Sequence, residues 1–296
     1  MTGNAHHPAL ADGFDLVVDR IERHSPSAVT VALVRRDRSE LPGYVPGSHL
    51  LVDCLTKINS YSLTGDGQFP REYTITVQRD DAGAGGSLHM HRLAPGDTVH
   101  VSRPRSAFAP VSNASHHVLI AAGIGLTPIL SHARSAAAWG RSATVLYIHR
   151  EESPVHLETL EALGELHPQV SVQTFTSRDA FAHTLQSVLA SQPLGSHLYV
   201  CGPGGFMDAV LDSARQHGWP GGRLHSESFG LSSLEAGEPF TARIAGTDEV
   251  VEVPSGVSLL EALENAGIGV PNLCRQGVCG ECRLTVTSGT PLHRDL

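Results

Sequence analysis

Positive charge is scarce in this chain. Lys and Arg number 21 against 30 Asp and Glu, for a formal net charge of −9. Nucleic-acid binding usually needs a basic face, so that function class is disfavoured, while a basic protein partner is permitted. Long apolar runs are also missing: none approaches the ~20 residues of a membrane-spanning helix. Met1 to Phe14 holds no apolar stretch behind a basic start, so a secretory signal is not expected. Cysteines are few and odd in number, five, which does not suit a secreted disulfide framework. Cys54 and Cys201 stand alone in apolar runs, whereas Cys274, Cys279 and Cys282 are bunched. Reduced, cytoplasmic cysteines with one metal-type cluster are the expectation. The 18 histidines form no H-E-x-x-H pair, and most are expected at the surface.

What is present is a folded chain of 296 residues, 41% hydrophobic and 17% charged, long enough for two or three modules. Residues 14–110 read as short strands rich in Val, Ile, Leu, Thr and Tyr, separated by Pro, Gly, Asp and Asn, with a short helical stretch at Ser87–Leu93. Such spacing indicates a small antiparallel barrel or sandwich. Residues 115–229 alternate strands and helices, with strands at His117–Ala122, Ala143–Ile148, Val170–Thr176 and His197–Cys201. That alternation means βαβ units and a parallel sheet covered by helices. After a polar linker come two strand-like runs, a helix over Ser258–Ala266, a cysteine loop and a last strand over Cys282–Thr287. The expected domains are 1–112, 113–230 and 240–296, with a linker at 231–239.

Five motifs carry chemistry. Cys274-Arg-Gln-Gly-Val-Cys279-Gly-Glu-Cys282 has the C-x4-C-x2-C spacing of a plant-type [2Fe–2S] loop. Gly277 and Gly280 let backbone N–H groups approach the cluster sulfurs. Zinc is the competing ligand, although zinc sites favour a second, distant pair. Gly123-Ile-Gly125-Leu-Thr127-Pro128 follows a strand and opens a helix, where free N–H groups and the dipole favour a pyrophosphate. A tight turn without ligand is an equal reading of that motif alone. Cys201-Gly202-Pro203 ends another parallel strand, the edge at which ligands of such sheets sit. Ser60-Tyr61-Ser62-Leu63 and Gly85-Gly86-Ser87 offer a ring, a polar edge and a phosphate loop, or in isolation a strand and a turn. Glu227-Ser-Phe229 closes the middle region; Phe229 is either core or a ring laid over a cofactor.

In this order the five motifs resemble the phthalate dioxygenase reductase family, which includes the vanillate O-demethylase reductases, and the resemblance runs over nearly the whole chain. It implies a multidomain fold: an antiparallel β-barrel flavin domain, an α/β parallel-sheet nucleotide domain and an α+β (β-grasp) ferredoxin domain. It implies FMN on the barrel, with Asn59, Tyr61 and Ser62 matching the R-x-Y-S flavin motif and Asn59 standing where that motif has arginine. The lost flavin contact is absent or supplied elsewhere, by Arg71 or Arg79. Thr76, Val77 and Gln78 match backbone facing the flavin, and Gly85, Gly86 and Ser87 the phosphate loop. Gly123, Gly125, Thr127 and Pro128 match the nucleotide turn, with Thr127 between nicotinamide and flavin. Cys201, Gly202 and Pro203 match the motif near the hydride-donating carbon, and Glu227 and Phe229 an ending in which the phenyl ring covers the flavin.

The implied function is electron transfer from NAD(P)H through FMN and a [2Fe–2S] cluster to a Rieske-type oxygenase or demethylase in the cytoplasm, with no nucleic acid or membrane involved. The implied catalytic positions are Thr127, Cys201 and Phe229, and the metal ligands Cys274, Cys279 and Cys282. Three thiolates do not complete the four-cysteine set. His293-Arg294-Asp295 matches a signature that precedes the fourth cysteine in that family, so the fourth is expected beyond Leu296 and the ferredoxin domain is expected to be incomplete. Two other classes remain: an NAD-dependent dehydrogenase without flavin, and a non-catalytic zinc-binding adaptor. The strand Val170–Thr176 ends in Ser177-Arg178-Asp179, where related enzymes read the adenosine ribose. Asp179 suits a free ribose hydroxyl; Ser177 and Arg178 suit a 2′-phosphate. The resemblance favours NADH. The expected outcome is a higher kcat/KM with NADH than with NADPH, and a clear preference for NADPH would overturn the assignment.

Overall fold

Strands rich in Val, Leu and Ile, several of them buried along most of their length, build the first sheet. In the computed structural model, which describes residues 10, 13–55, 57–83, 85–106, 108–191, 193–229, 238–247, 249–255, 257–271 and 282–290, the strands are β1 (Phe14–Ser25), β2 (Ala28–Val34), β3 (Ser48–Asp53), β4 (Ile58–Ser62), β5 (Tyr73–Gln78), β6 (Thr98–Val101) and β7 (Arg105–Ser106). They pair antiparallel in the order β4-β3-β6-β1-β2-β5, with β7 on β3, and a Leu63–Ile75 bridge joins the two ends into a barrel. Leu16, Val18, Val31, Leu50, Val52, Tyr73, Ile75 and Val77 point inward and are buried. Helix α1 (Gly86–Arg92) plugs this core with Met90.

The second sheet is parallel. It comprises β8 (His116–Ala122), β9 (Ala143–Ile148), β10 (Val170–Phe175), β11 (Ser196–Cys201) and β12 (Leu224–Glu227), in the order β10-β9-β8-β11-β12. Its central strands are apolar on both faces because helices cover both. Helices α2 (Leu126–Ala138) and α3 (Leu157–Leu166) pack on one face with Leu119, Val145 and Tyr199. Helices α4 (Arg178–Ala190) and α5 (Gly204–Gln216) pack on the other with Val118, Ile120 and Val200. Barrel and parallel sheet together form one compact unit, Met1–Glu227. A second unit, Ser228–Leu296, contains the antiparallel pair β13 (Phe240–Arg243) and β14 (Val250–Val253) and helix α6 (Leu259–Asn265), which Ser258 caps. Val251, Val253, Ala262 and Leu263 form its small core.

The structure differs from the sequence reading in three places. Helix α2 begins at Leu126, so Pro128 lies inside the first turn, where a missing N–H costs nothing. The expected strand at Cys282–Thr287 has no ladder partner among the described residues, and β13 and β14 pair only with each other there. The histidines are the third. His49, His117, His132 and His156 are buried. The strand positions of His49 and His117, the helix interior at His132 and the loop at His156 are each covered by the opposite lobe or layer, which local sequence does not reveal.

Burial drives these four imidazoles well below their usual range, to about 4 for His49 and His117 and about 3 for His132 and His156. They are neutral in the folded chain and titrate near 6.5 when it unfolds. The folded values are depressed, so the unfolded chain binds these protons first as pH falls. The stability present above pH 6.5 is lost progressively toward pH 4. Thermal unfolding followed by circular dichroism is therefore expected to show a steep fall in Tm over that window. The fall is shallower in His132→Gln, whose amide can still donate to the Phe108 carbonyl that His132 Nε2 now serves at 2.8 Å. A flat profile from pH 6.5 to 4 contradicts the burial argument.

Candidate active site

The carboxyl edge of the parallel sheet meets the barrel where β12 faces β4. Strands β8, β11 and β12 run side by side, and Cys201 and Glu227, the last residues of β11 and β12, align with Ala121 of β8. Cys201 and Glu227 are cross-strand neighbours. From the barrel, Ser62 at the end of β4 donates from Oγ to Glu227 Oε2 at 3.4 Å. The β8–α2 turn closes on the same spot: a Cβ at Gly125 would lie 2.3 Å from the Cys201 carbonyl oxygen, so glycine is required by close approach. Thr127 is buried in the first turn of α2, and its hydroxyl donates to the Ile124 carbonyl at 3.1 Å. Above the turn the space is open. Cβ atoms at Gly123, Gly204 and Gly205 would meet nothing within 4 Å, which leaves the backbone there uncovered.

Electrostatics at this edge favour neutral groups. Burial raises the Cys201 thiol well above its usual range, and the Glu227 carboxylate beside it adds to the effect. Cys201 is a thiol, not a thiolate, and packs as core. Burial also pushes the Glu227 carboxyl up to about 8, opposed by the Ser62 hydroxyl. A carboxyl that holds its proton near neutrality and touches a hydroxyl on the facing lobe can donate and accept a proton at Oε2.

The second cluster lies on the barrel. Asn59 and Tyr61 share a face of β4, and Asn59 Nδ2 donates to the Tyr61 hydroxyl at 2.9 Å. Gly86, at the start of α1, packs so tightly on Asn59 that a Cβ would lie 2.3 Å from its Nδ2. Gly85 takes a left-handed conformation, φ 88°. The Ser87 hydroxyl accepts from the Asp80 N–H at 3.0 Å and so closes the loop on itself. Thr76, Val77 and Gln78 lie on β5: Val77 in the barrel core, Gln78 exposed, and Thr76 outward yet buried under the nucleotide lobe. Arg79 pairs with Asp81 at the surface, at 2.7 Å.

Ser177, Arg178 and Asp179 stand where expected, at the end of β10. Ser177 caps α4, its hydroxyl accepting from the Ala180 N–H at 3.4 Å, and Asp179 sits in the first turn. Gly202 and Pro203 lead from β11 into α5. Phe229 is exposed and falls in the second unit. Cys274 and Cys279 lie outside the described residues, as do His293, Arg294 and Asp295; Cys282 is half-buried. Among the described residues, no helix is long and apolar enough to cross a membrane. Sequence reasoning missed His156, which reaches from the β9–α3 connection to Thr76 and Thr30 on the barrel; no local pattern marks it.

An antiparallel barrel packed in one unit with a five-stranded parallel sheet, glycines at its strand ends, is the fold of a ferredoxin-reductase-like oxidoreductase. Comparison with known proteins agrees. Residues 100–224 match the family described as dimethylamine monooxygenase subunit DmmA-like, N-terminal domain, and residues 242–296 match the 2Fe-2S iron-sulfur cluster binding domain. The chain is 34% identical to the carnitine monooxygenase reductase subunit of Acinetobacter baumannii over 95% of its length and 88% of that protein. It is 36% identical to the phthalate dioxygenase reductase of Burkholderia cepacia over 86% of its length and 80% of that protein. The solved structure of a phthalate dioxygenase reductase superposes with a TM-score of 0.75 at 33% identity, covering 96% of this chain and 89% of the other. The chain belongs to the phthalate dioxygenase reductase and vanillate O-demethylase oxidoreductase family.

Glu227 gives this site a pH signature. Its folded value, about 8, lies above the unfolded carboxyl near 4.5, so the unfolded chain ionises first as pH rises. The stability contribution is fully present below 4.5 and is lost as pH climbs to 8. Subtracting the Tm profile of Glu227→Gln from that of the wild type cancels the histidine titrations. The difference is expected to grow across pH 4.5–8 in favour of the variant. A difference independent of pH means that the carboxyl is ionised in the folded chain.

Proposed function

We propose that this chain is the reductase of a Rieske-type oxygenase or demethylase system in the cytoplasm, taking electrons from NADH through FMN and a [2Fe–2S] cluster. The observation that carries the reading is the meeting of Ser62 on the barrel with Glu227, Cys201 and the Gly125 turn on the parallel sheet. When bound, the flavin and nicotinamide supply hydride transfer and the cluster one-electron transfer.

The chain's own residues bind, orient and exclude water. The Asn59 side chain fixes the Tyr61 hydroxyl, leaving the ring of Tyr61 as a stacking surface beside Ser62. Gly85, Gly86 and Ser87 hold the FMN phosphate with backbone N–H groups, and the Thr76–Gln78 backbone lines the ring edge. Asn59 brings no positive charge, so the phosphate is met by amide dipoles on that side. Gly123, Gly125, Thr127 and Pro128 form the turn that takes the pyrophosphate, and Ser177, Arg178 and Asp179 read the ribose. Gly202 and Pro203 place Cys201 as a small neutral wall beside the nicotinamide, and Thr127 bounds that pocket from α2. Glu227 Oε2 and Ser62 Oγ hold a proton where ring and nicotinamide meet. Phe229 covers the ring face. Cys274, Cys279 and Cys282 supply thiolates to the cluster, a donor set suited to iron and sulfide.

A different terminal partner is favoured by one specific likeness. The chain is 37% identical over 87% of its length to the haem-dependent oxidative N-demethylase beta subunit of Ectopseudomonas mendocina. A haem-containing partner in place of a Rieske centre is therefore the second reading. The test is a visible spectrum of the purified protein with iron, acid-labile sulfide and flavin assays, followed by NADH-driven reduction of ferricyanide. Flavin absorbance that bleaches on NADH addition, with iron and sulfide present, is the expected result. Colourless protein with one zinc per chain overturns it.

A further inference from the structure

The connection from β9 to α3, residues 149–156, leaves the same carboxyl edge of the sheet on which the nucleotide turn sits. It ends at His156, whose backbone is left-handed, φ 53°, a conformation that glycine adopts freely and histidine only at some cost. His156 stands at the N-cap position of α3, yet its side chain makes no capping bond. A serine, threonine, aspartate or asparagine would serve the helix better there. The imidazole instead turns away from its own helix and into the barrel. Its Nε2 lies 2.7 Å from Thr76 Oγ1 and 3.3 Å from Thr30 Oγ1.

The network continues. Thr30 Oγ1 lies 2.7 Å from Thr76 Oγ1 and 2.7 Å from His24 Nε2, and the His24 ring meets the His156 ring edge-on at 4.5 Å. Three barrel strands are thus joined to one loop of the nucleotide lobe. Thr76 belongs to the strand assigned to the flavin ring edge. Helix α2 is fastened to the barrel separately, by Ser131 Oγ donating to the Gly65 carbonyl and Arg134 Nη1 donating to the Thr64 carbonyl at 2.7 Å. The β9–α3 connection is fastened through His156. Strain, a forgone helix cap and a buried bond across the lobes converge on one side chain.

We propose that His156 is a positioning residue for the pyridine nucleotide: its bond to Thr76 holds the β9–α3 connection in register with the flavin strand, so that the cleft is shaped for nucleotide before it arrives. This rests on the reading of the site as an NADH–flavin reductase. His156 touches neither cofactor; it acts through the loop and through Thr76.

The experiment is steady-state ferricyanide reduction by the full chain with its cofactors. The wild type is measured first: if it shows no NADH-driven reduction, the functional reading itself fails, separately from this inference. His156→Gly accepts φ 53° without strain and deletes the imidazole. Its KM for NADH should rise roughly tenfold, about 1.4 kcal/mol of binding, with the loss carried by KM rather than kcat and with FMN per chain at the wild-type value. His156→Gln, which reaches the same distance with a hydrogen-bonding end, should recover most of the KM. Thr76→Val removes the bonded hydroxyl from the barrel side and should shift KM in the same direction; it also keeps the test decisive if the glycine variant does not fold. An unchanged KM with a lowered Tm assigns His156 to packing and overturns the proposal. Loss of FMN in His156→Gly also overturns it, since the network would then serve the flavin strand alone.

Discussion

The chemistry of this protein depends on a seam between two unlike sheets, lined largely by polar groups that carry no charge, with the Arg134 guanidinium bound to the Thr64 carbonyl as a cation among them. Burying an ion there would cost several kcal/mol unless it were paired. The seam avoids that cost with a protonated Glu227, a neutral Cys201 and neutral imidazoles at His132 and His156. Hydroxyls of Ser62, Thr30 and Thr76 meet these groups from the barrel side. A flavin and a nicotinamide are both large, planar and partly apolar, so a dry seam with a few fixed polar contacts is the environment that orients them.

Glycine and hydroxyl residues do different work along it. At Gly125 the backbone must approach Cys201 closely, which removes any side chain from the turn. At Gly123, Gly204 and Gly205 the absence of a side chain leaves open space instead. The first fixes the sheet edge as a rigid wall, and the second leaves room for a ligand against it. The barrel contributes rigidity of another kind, since the Leu63–Ile75 bridge ties its two end strands together.

Family membership and geometry constrain each other. The relatives named as carnitine monooxygenase reductase subunit and phthalate dioxygenase reductase cover most of this chain, so the order of barrel, parallel sheet and iron–sulfur domain is shared. Within that order, Asn59 packs on Gly86 of α1 and His156 bonds Thr76 across the lobes.

The sequence by itself determined most of the architecture. Runs rich in Val, Ile, Leu, Thr and Tyr, broken by Pro, Gly, Asp and Asn, marked the barrel strands, the switch to βαβ spacing marked the parallel sheet, and glycine beside a strand end located Gly123–Gly125 and Cys201–Gly202. These signals are local, and a strand or a turn is decided within a few residues. Tertiary structure alone decided which distant groups touch: Ser62 with Glu227, 165 positions apart, and His156 with Thr76, 80 positions apart. It alone buried the histidines, because a polar residue on a loop or strand reads as solvent-exposed until another layer covers it. It also left Cys282–Thr287 without a ladder partner among the described residues, since a strand exists only where a neighbour accepts its hydrogen bonds. Spacing within a segment writes secondary structure into the sequence, whereas contact between segments is written only by packing.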